Sequence, residues 1–302
     1  MQRRHVAWLV IGVSAVSTSA ILIRSANDLD VPALTIAFYR CAFASVILVP
    51  VAWLRHRGEL ASLGRRSRWL LVGSGVALAC HFAAWVSSLS YTSIAASAVL
   101  VQTMPVWVAL AGPLIGERTT KRGWLGIGVA VGGTAVIALG SPTGGAFTNP
   151  LLGDVLAVLG AMFAAAYVVI GRRVRQEISF VAYSASVDLV AAACLGAAML
   201  VSGTPFSGFP PEAWVLFAAM TAGPQFLGHT VFNHLLGELK ASVVSVALLA
   251  EPVGSTVLAI VIFDEVPGIA VVVGAAIVLA GIVITVLAES SRHPEVLAAP
   301  EG

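Results

Sequence analysis

The sequence has little charge. Only 11% of its 302 residues are Asp, Glu, Lys or Arg, where a soluble domain carries about 25%. With 58% hydrophobic residues and a mean hydropathy of +0.94, the chain cannot cover its surface with polar groups, so lipid must be the solvent for most of it. Cysteine is scarce as well. Cys41, Cys80 and Cys194 lie inside apolar runs without metal-site spacing, which reads as buried free thiols and gives no sign of a disulfide framework. There is no Walker motif, so ATP does not drive the protein directly, and neither H-E-x-x-H nor G-x-S-x-G is present. The pairs Gly73/Gly75 and Gly126/Gly128 lie within apolar spans and are not phosphate loops. No loop is long enough for a soluble domain, which argues against a sensor. No cofactor, metal, catalytic residue or nucleic-acid partner is expected.

What is present is a series of apolar runs of about 20 residues, the length that crosses a bilayer as a helix. There are ten: Val6–Ile23, Pro32–Trp53, Trp69–Leu89, Ile94–Ile115, Trp124–Leu139, Leu151–Ile170, Phe180–Val201, Trp214–Leu236, Ala241–Phe263 and Gly268–Leu287. The first is read as an uncleaved helix, since no convincing small-residue cleavage site follows it. The expected fold is therefore all-α, a polytopic membrane protein with ten transmembrane helices. Fifteen of the 17 Lys and Arg residues fall in the terminal segments and loops of one face, all but Arg24 and Arg40. The positive-inside rule then places both termini in the cytoplasm of a multi-pass protein of the cell membrane.

The halves repeat each other. Glu117, Gly126 and Gly133 recur as Glu265, Gly274 and Gly281 at a spacing of 148, and Pro105 recurs as Pro252 at 147. Trp85 with Phe232, Leu89 with Leu236 and Arg40 with Asp188 fit the same offsets. The turn-rich Ser141–Pro150 divides the repeats, giving residues 1–140, a 141–150 linker, residues 151–287 and a cytoplasmic tail 288–302. Five spans per half is an odd number, so the two five-helix repeats are expected to be inverted. Transporters of that build hold their substrate near the bilayer midplane, at the repeat interface. The glycines seven apart, with Gly128 and Gly132 as a G-x-x-x-G, are read as sites of close helix contact.

The segments "TSIAASAVLVQTMPVWVALAGPLIGERTTKRGWLGIGVAVGGTAVIALG" and "ASVVSVALLAEPVGSTVLAIVIFDEVPGIAVVVGAAIVLAGIVIT" resemble two EamA modules of the drug/metabolite transporter superfamily. The first keeps the Pro…Gly-Glu-Arg…Gly…Gly core, while the second has "DEV" in place of "GER". Arg40 in "AFYRCAFA" resembles the arginine this family places in its second helix. The resemblance implies a ten-helix carrier of exporter type for small metabolites. It carries no substrate identity.

Ionisable groups inside a bilayer are costly and mark functional sites or paired structural ones. Glu251 leads, next to the helix-breaking Pro252, as a carrier of protons or as the buried partner of a histidine or of Arg40. Gln225, His229 and Asn233 stand four apart on one helical face, fit either to share protons with Glu251 or to hold helices together. His81 and Trp85 also stand four apart, and Gln102 precedes Pro105. Together they suit a ligand pocket with an apolar wall and orienting polar groups. Trp107 is a weaker candidate. Arg40 suits a substrate carboxylate or an ion pair with Asp188. Ser14, Ser17, Thr18 and Ser19 line a path or pack, and Tyr39 and Tyr167 stay undecided.

The expected function is secondary transport, by alternating access, of a small amphipathic metabolite. Export coupled to protons is the leading form, and an uncoupled exchanger or facilitator the alternative. A lipid-modifying enzyme would need a nucleophile–base pair or metal cluster that His81, His229 and His234 do not supply. The expected partners are the bilayer, a small-molecule substrate and protons, for a monomer or homodimer.

Overall fold

A computed structural model describes residues 3–111, 119–140, 147–228, 231 and 248–290. Among these, the regular elements are all helices: α1 (Arg3–Asn27), α2 (Ala33–Ser62), α3 (Arg65–Ser88), α4 (Ile94–Val101), α5 (Met104–Ala111), α6 (Lys121–Gly140), α7 (Pro150–Val174), α8 (Phe180–Ser202), α9 (Pro211–Met220), the π-helical segment Thr221–Gly228, α10 (Ala250–Phe263) and α11 (Ile269–Ser290). Eight stretches are long and apolar enough to cross a bilayer, namely α1, α2, α3, α4–α5, α6, α7, α8 and α11. Among the described residues α10 adds a shorter apolar helix, and the α9–π segment precedes it in the chain. The chain is a polytopic helical membrane protein.

Several helices differ from their apolar runs for physical reasons. The α2 helix continues to Ser62, nine residues past the run that ends at Trp53, because nothing polar in that stretch breaks a helix. Its 30 residues span about 45 Å against a hydrocarbon core of about 30 Å, so its charged end stands clear of the lipid. Residues 94–111 of the run Ile94–Ile115 form two helices, interrupted at Gln102–Thr103. Sequence-local caps start α4 and α8: Ser93 Oγ accepts from Ala96 N at 3.1 Å and Ser179 Oγ from Ala182 N at 3.4 Å. Gly203, at φ 70°, ends α8 in the left-handed conformation that glycine adopts freely.

Polarity is reversed relative to a soluble protein. Trp53, Leu54, Trp69, Leu139, Val201, Val261 and Ile269 are exposed, whereas Arg40, Asp154, Asp188, Ser74 and Ser97 are buried. The exposed Trp8, Trp53, Trp69 and Trp124 lie near the face that carries the arginine-rich turns, as an interfacial aromatic belt does. On that face Glu59 Oε2 accepts from Ser179 N at 2.6 Å and Ser67 Oγ donates to Glu177 Oε1 at 2.8 Å, tying the α2–α3 turn to the α7–α8 turn.

The packing of equivalent helices shows the inversion directly. α6 and α11 occupy matching places in the two repeats and lie against each other. Gly126 meets Gly281, and Gly133 meets Gly274, so the early residues of one helix face the late residues of the other. The same holds for α2 and α8, where Phe38 near the start of one touches Gly196 near the end of the other. Gly128 and Gly132 are corrected by this geometry: both face open space on the outside of α6, and Gly126 and Gly133 make the close contact. A β-carbon at Gly133 would stand 2.7 Å from Val278 N and 2.8 Å from Gly274 O, both backbone atoms that cannot yield. Gly133→Leu should therefore cost about 1–3 kcal/mol and lower the melting temperature in detergent by several degrees. Gly128→Leu should leave it unchanged.

Candidate functional site

The two prolines open helices instead of kinking continuous ones. Pro105 is the second residue of α5 and Pro252 the third of α10, positions where the missing N–H is an orphan in any case. Each follows a short non-helical turn, at Gln102–Thr103 in the first repeat and at Leu249 in the second. The backbone at these turns is nearly the same, with φ −73° and ψ 0° at Gln102 and φ −68° and ψ −9° at Leu249. Both repeats thus break their fourth span at equivalent places. Trp107 serves the first break: its Nε1 donates to Thr103 Oγ1 at 3.1 Å, and Thr103 Oγ1 donates to Leu100 O at 2.7 Å.

The breaks meet through side chains. Gln102 Nε2 donates to Glu251 Oε2 at 2.7 Å, joining the unwound turn of one repeat to the first turn of α10 in the other. An acid in a first helical turn lies at the positive end of the helix dipole. α1 presses in beside it. Ser17 Oγ donates to the Glu251 carbonyl at 3.3 Å, and Ser255 Oγ donates to the Ser17 carbonyl at 3.0 Å. Gly254 faces Ser17 so closely that a β-carbon there would collide with it.

Arg40 stands at the centre, 3% exposed. Its Nη1 donates to Ser19 Oγ at 2.7 Å, and its Nη2 reaches Gln225 Oε1 at 3.5 Å. The guanidinium lies 4.6 Å over the Phe82 ring and 5.8 Å from the Trp85 ring, within cation–π range. The direct ion pair with Asp188 is not formed. Gln225 accepts from Arg40 and lies near enough to act on the Asp188 carboxyl as well. Both Asp188 and Glu251 remain near enough to act on the arginine's charge. The π-helical segment around Pro224 carries Gln225 to this position, and such segments concentrate at functional sites.

His81 Nδ1 is engaged with the Gly160 carbonyl at 2.9 Å, which binds α3 to α7, and its ring stacks on Trp85 at 5.8 Å. Thus Arg40, Gln225, Gln102, Glu251, Trp85 and His81 converge on α1–α3, the broken helices and the π segment. His229 and Asn233 lie outside the described residues. Tyr39 belongs elsewhere, stacked on Phe217 at 4.9 Å with its hydroxyl donating to Phe206 O at 2.6 Å. Tyr167 packs against Tyr183. Phe82 went unnoticed in the sequence because a phenylalanine in an apolar run carries no polar signal.

Three buried polar atoms around the guanidinium lack a partner among the described residues: Arg40 Nε, Trp85 Nε1 and Asp188 Oδ1. Leaving such atoms unpaired is costly, and together they offer two donors and one acceptor beside aromatic rings. Among the described residues no group of three or more His, Cys, Asp or Glu side chains is placed to hold a metal.

The model of the EamA-like transporter family matches residues 3–139 and again residues 151–287. The chain belongs to the EamA family. Each match covers one of the repeats that pack in opposite directions. This EamA protein is 25% identical over 260 residues to a protein of Archaeoglobus fulgidus described as an uncharacterized transporter, covering 83% of the present chain and 86% of that one. A solved crystal structure shares its fold with a TM-score of 0.63 at 20% identity, over 96% of this chain and 99% of the other.

Proposed function

We propose that this EamA protein is a secondary carrier that moves a small amphipathic metabolite out of the cell by alternating access, coupled to protons through Glu251. The arginine-rich face is then cytoplasmic, with both termini on that side of the plasma membrane. The observation that carries the reading is the Gln102–Glu251 bond, which joins the two broken helices beside Arg40. A substrate that competes for these groups acts on both repeats at once, which is what a carrier needs in order to exchange one packing for another.

Charge balance supports the coupling. Among the described residues the cluster holds one cation, Arg40, against two carboxyls, Asp188 and Glu251. In an apolar interior an unbalanced charge is expensive. One proton, or one positively charged substrate group, neutralises the cluster, and the two compete for the same vacancy in charge. The unpartnered Arg40 Nε, Trp85 Nε1 and Asp188 Oδ1 suit the polar end of a substrate, and the Phe82 and Trp85 rings its apolar part.

The test begins with purified protein screened by thermal shift against amino acids, nucleobases, sugars and cationic drugs. A compound that raises the melting temperature is then loaded into proteoliposomes. Internal compound should accelerate uptake of the labelled form, as counterflow requires of a carrier. Equal uptake with and without internal compound would mark a pore and defeat the proposal.

A further inference from the structure

On the face away from the arginine-rich turns, one carboxylate ties the two repeats together. Glu265, in the turn after α10, places Oε2 3.6 Å from Arg24 Nη1 of α1, while its Oε1 accepts from Ile94 N at the start of α4 at 2.6 Å. Arg24 also donates through Nη2 to Thr92 O at 2.8 Å and lies 5.0 Å over the Phe147 ring. Thr92 Oγ1 in turn donates to Asp154 Oδ1 of α7 at 2.8 Å. Ser93 caps α4 through the Ala96 N–H and leaves the Ile94 N–H open, and the group that takes it comes from the other repeat. The contact from Glu265 is a tether between repeats.

Backbone strain gathers at the same place. The described residues contain two non-glycine positions with positive φ, Asp30 at 58° and Asp264 at 52°. Asp264 ends α10 and turns Glu265 back toward α1, with Glu265 N donating to Ala259 O at 3.2 Å. Asp30 closes the turn that follows Arg24. At the matching place in the first repeat the sequence has Gly116, which would adopt such a φ freely. Strain of this kind persists where surrounding contacts enforce it, and it collects at switches.

The tether also stands over the central cluster. Ser17, which touches Glu251, is seven residues before Arg24 on α1, about 10 Å along the helix axis. A recess of about 420 Å³, lined by Arg24, Asn27, Asp28, Asp30, Ser90 and Phe147 among others, reaches the tether from the same face. The side chains of Arg24 and Glu265 are 14% and 15% exposed, shielded yet within reach of water.

Resting on the carrier reading, we infer that Glu265 is the latch that closes the central cluster from this face, and that exchange of Arg24 and the Ile94 N–H for water is the opening step. The carboxylate form makes both contacts. Burial pushes the Glu265 carboxyl above the usual range, Arg24 and the Ile94 N–H pull it down, and Asp28 pushes it up. Asp28 and Arg24 face it from α1, Asp154 stands behind Thr92 on α7, and Asp264 precedes it in its own turn. As pH falls on this face, Glu265 takes up a proton before an ordinary surface carboxylate does, and the latch loosens.

The experiment uses the full chain with Cys41, Cys80 and Cys194 replaced by alanine and Ser17→Cys as reporter. Membrane vesicles of both orientations are treated with a membrane-impermeant maleimide, with rates normalised to a cysteine in an exposed turn. Glu265→Gln and Arg24→Gln should each raise the labelling rate from the latch face at least tenfold. Lowering the pH from 7 to 5 should raise it several-fold with Glu265 present and leave it unchanged in Glu265→Gln. Gel filtration confirms that each variant is folded, and Glu265→Asp serves if Glu265→Gln is not. Rates within twofold of the parent in every variant, with the reporter reactive from the opposite face, would overturn the latch and leave the carrier standing. A reporter inert from both faces in every variant would overturn the carrier reading, and the latch with it.

Discussion

Glu251→Gln should abolish accumulation driven by a pH gradient in proteoliposomes, by at least tenfold, while leaving counterflow measurable and the protein folded. Glutamine keeps the shape of glutamate, and its carbonyl oxygen can still accept from Gln102 Nε2 across the two breaks. The backbone contacts of Ser17 and Ser255 do not involve the carboxyl and should survive. What disappears is a charge and a place to carry a proton. The cluster becomes Arg40 with Asp188, balanced whether or not a proton is supplied. A balanced cluster has nothing to gain from proton uptake, so substrate exchange runs without the gradient. Stability should change by no more than about 1–3 kcal/mol, since Gln102 keeps its acceptor while the new amide NH2 must find one. The check is a pair of assays on the same vesicles, one with a pH gradient and one with equal pH and internal substrate. Undiminished gradient-driven flux would remove Glu251 from the coupling.

Much of this architecture is legible in the sequence, because a bilayer constrains it so strongly. Charge at 11% and ten apolar runs leave few options besides a helical membrane protein. The spacing of 148 between Gly126 and Gly274, and between Gly133 and Gly281, points to a repeat. The packing of α6 against α11 then uses those same four glycines. Periodicity says less about which glycine faces which helix, and so Gly128 and Gly132 mislead: their i, i+4 spacing suits a close contact, but they lie on the outer side of α6. The prolines mark the breaks correctly, although a proline alone does not show whether a helix bends or restarts. That depends on the turn before it, and the near-identical dihedrals at Gln102 and Leu249 have no residue type in common.

The polar residues of the central cluster are legible one by one, since each is conspicuous in lipid. Their pairing is not. Arg40 and Asp188 match at the repeat offset and invite a direct ion pair, yet Arg40 reaches Gln225 of the π-helical segment instead. Arg24 and Glu265 are 241 positions apart in the chain and give no local signal of their contact. Only the inverted packing, which sets the end of α1 beside the end of α10, brings them together.

Arg40→Ala should have the largest effect of any single substitution, and its effect should depend on Glu251. Removing the guanidinium leaves Asp188 and Glu251 without their cation in an apolar interior, and strips Ser19 and Gln225 of their donor. Breaking a buried charge arrangement from one side costs about 3–5 kcal/mol, enough to lose most of the folded protein on extraction. Arg40→Lys should fold but transport at least tenfold more slowly. An ammonium is one compact point, and it cannot span Ser19 and Gln225 while lying flat over the Phe82 ring. The decisive variant is the double one. Arg40→Ala with Glu251→Gln removes one charge of each sign, so the net charge returns to that of the parent cluster. Its melting temperature should recover a substantial part of the loss seen in Arg40→Ala alone, and the cycle of four proteins measures that coupling. If Arg40→Ala is as stable as the parent, or if the double variant loses the sum of the two single effects, then these three charged groups do not act as one electrostatic unit. Charge balance would then no longer explain why a proton enters the site.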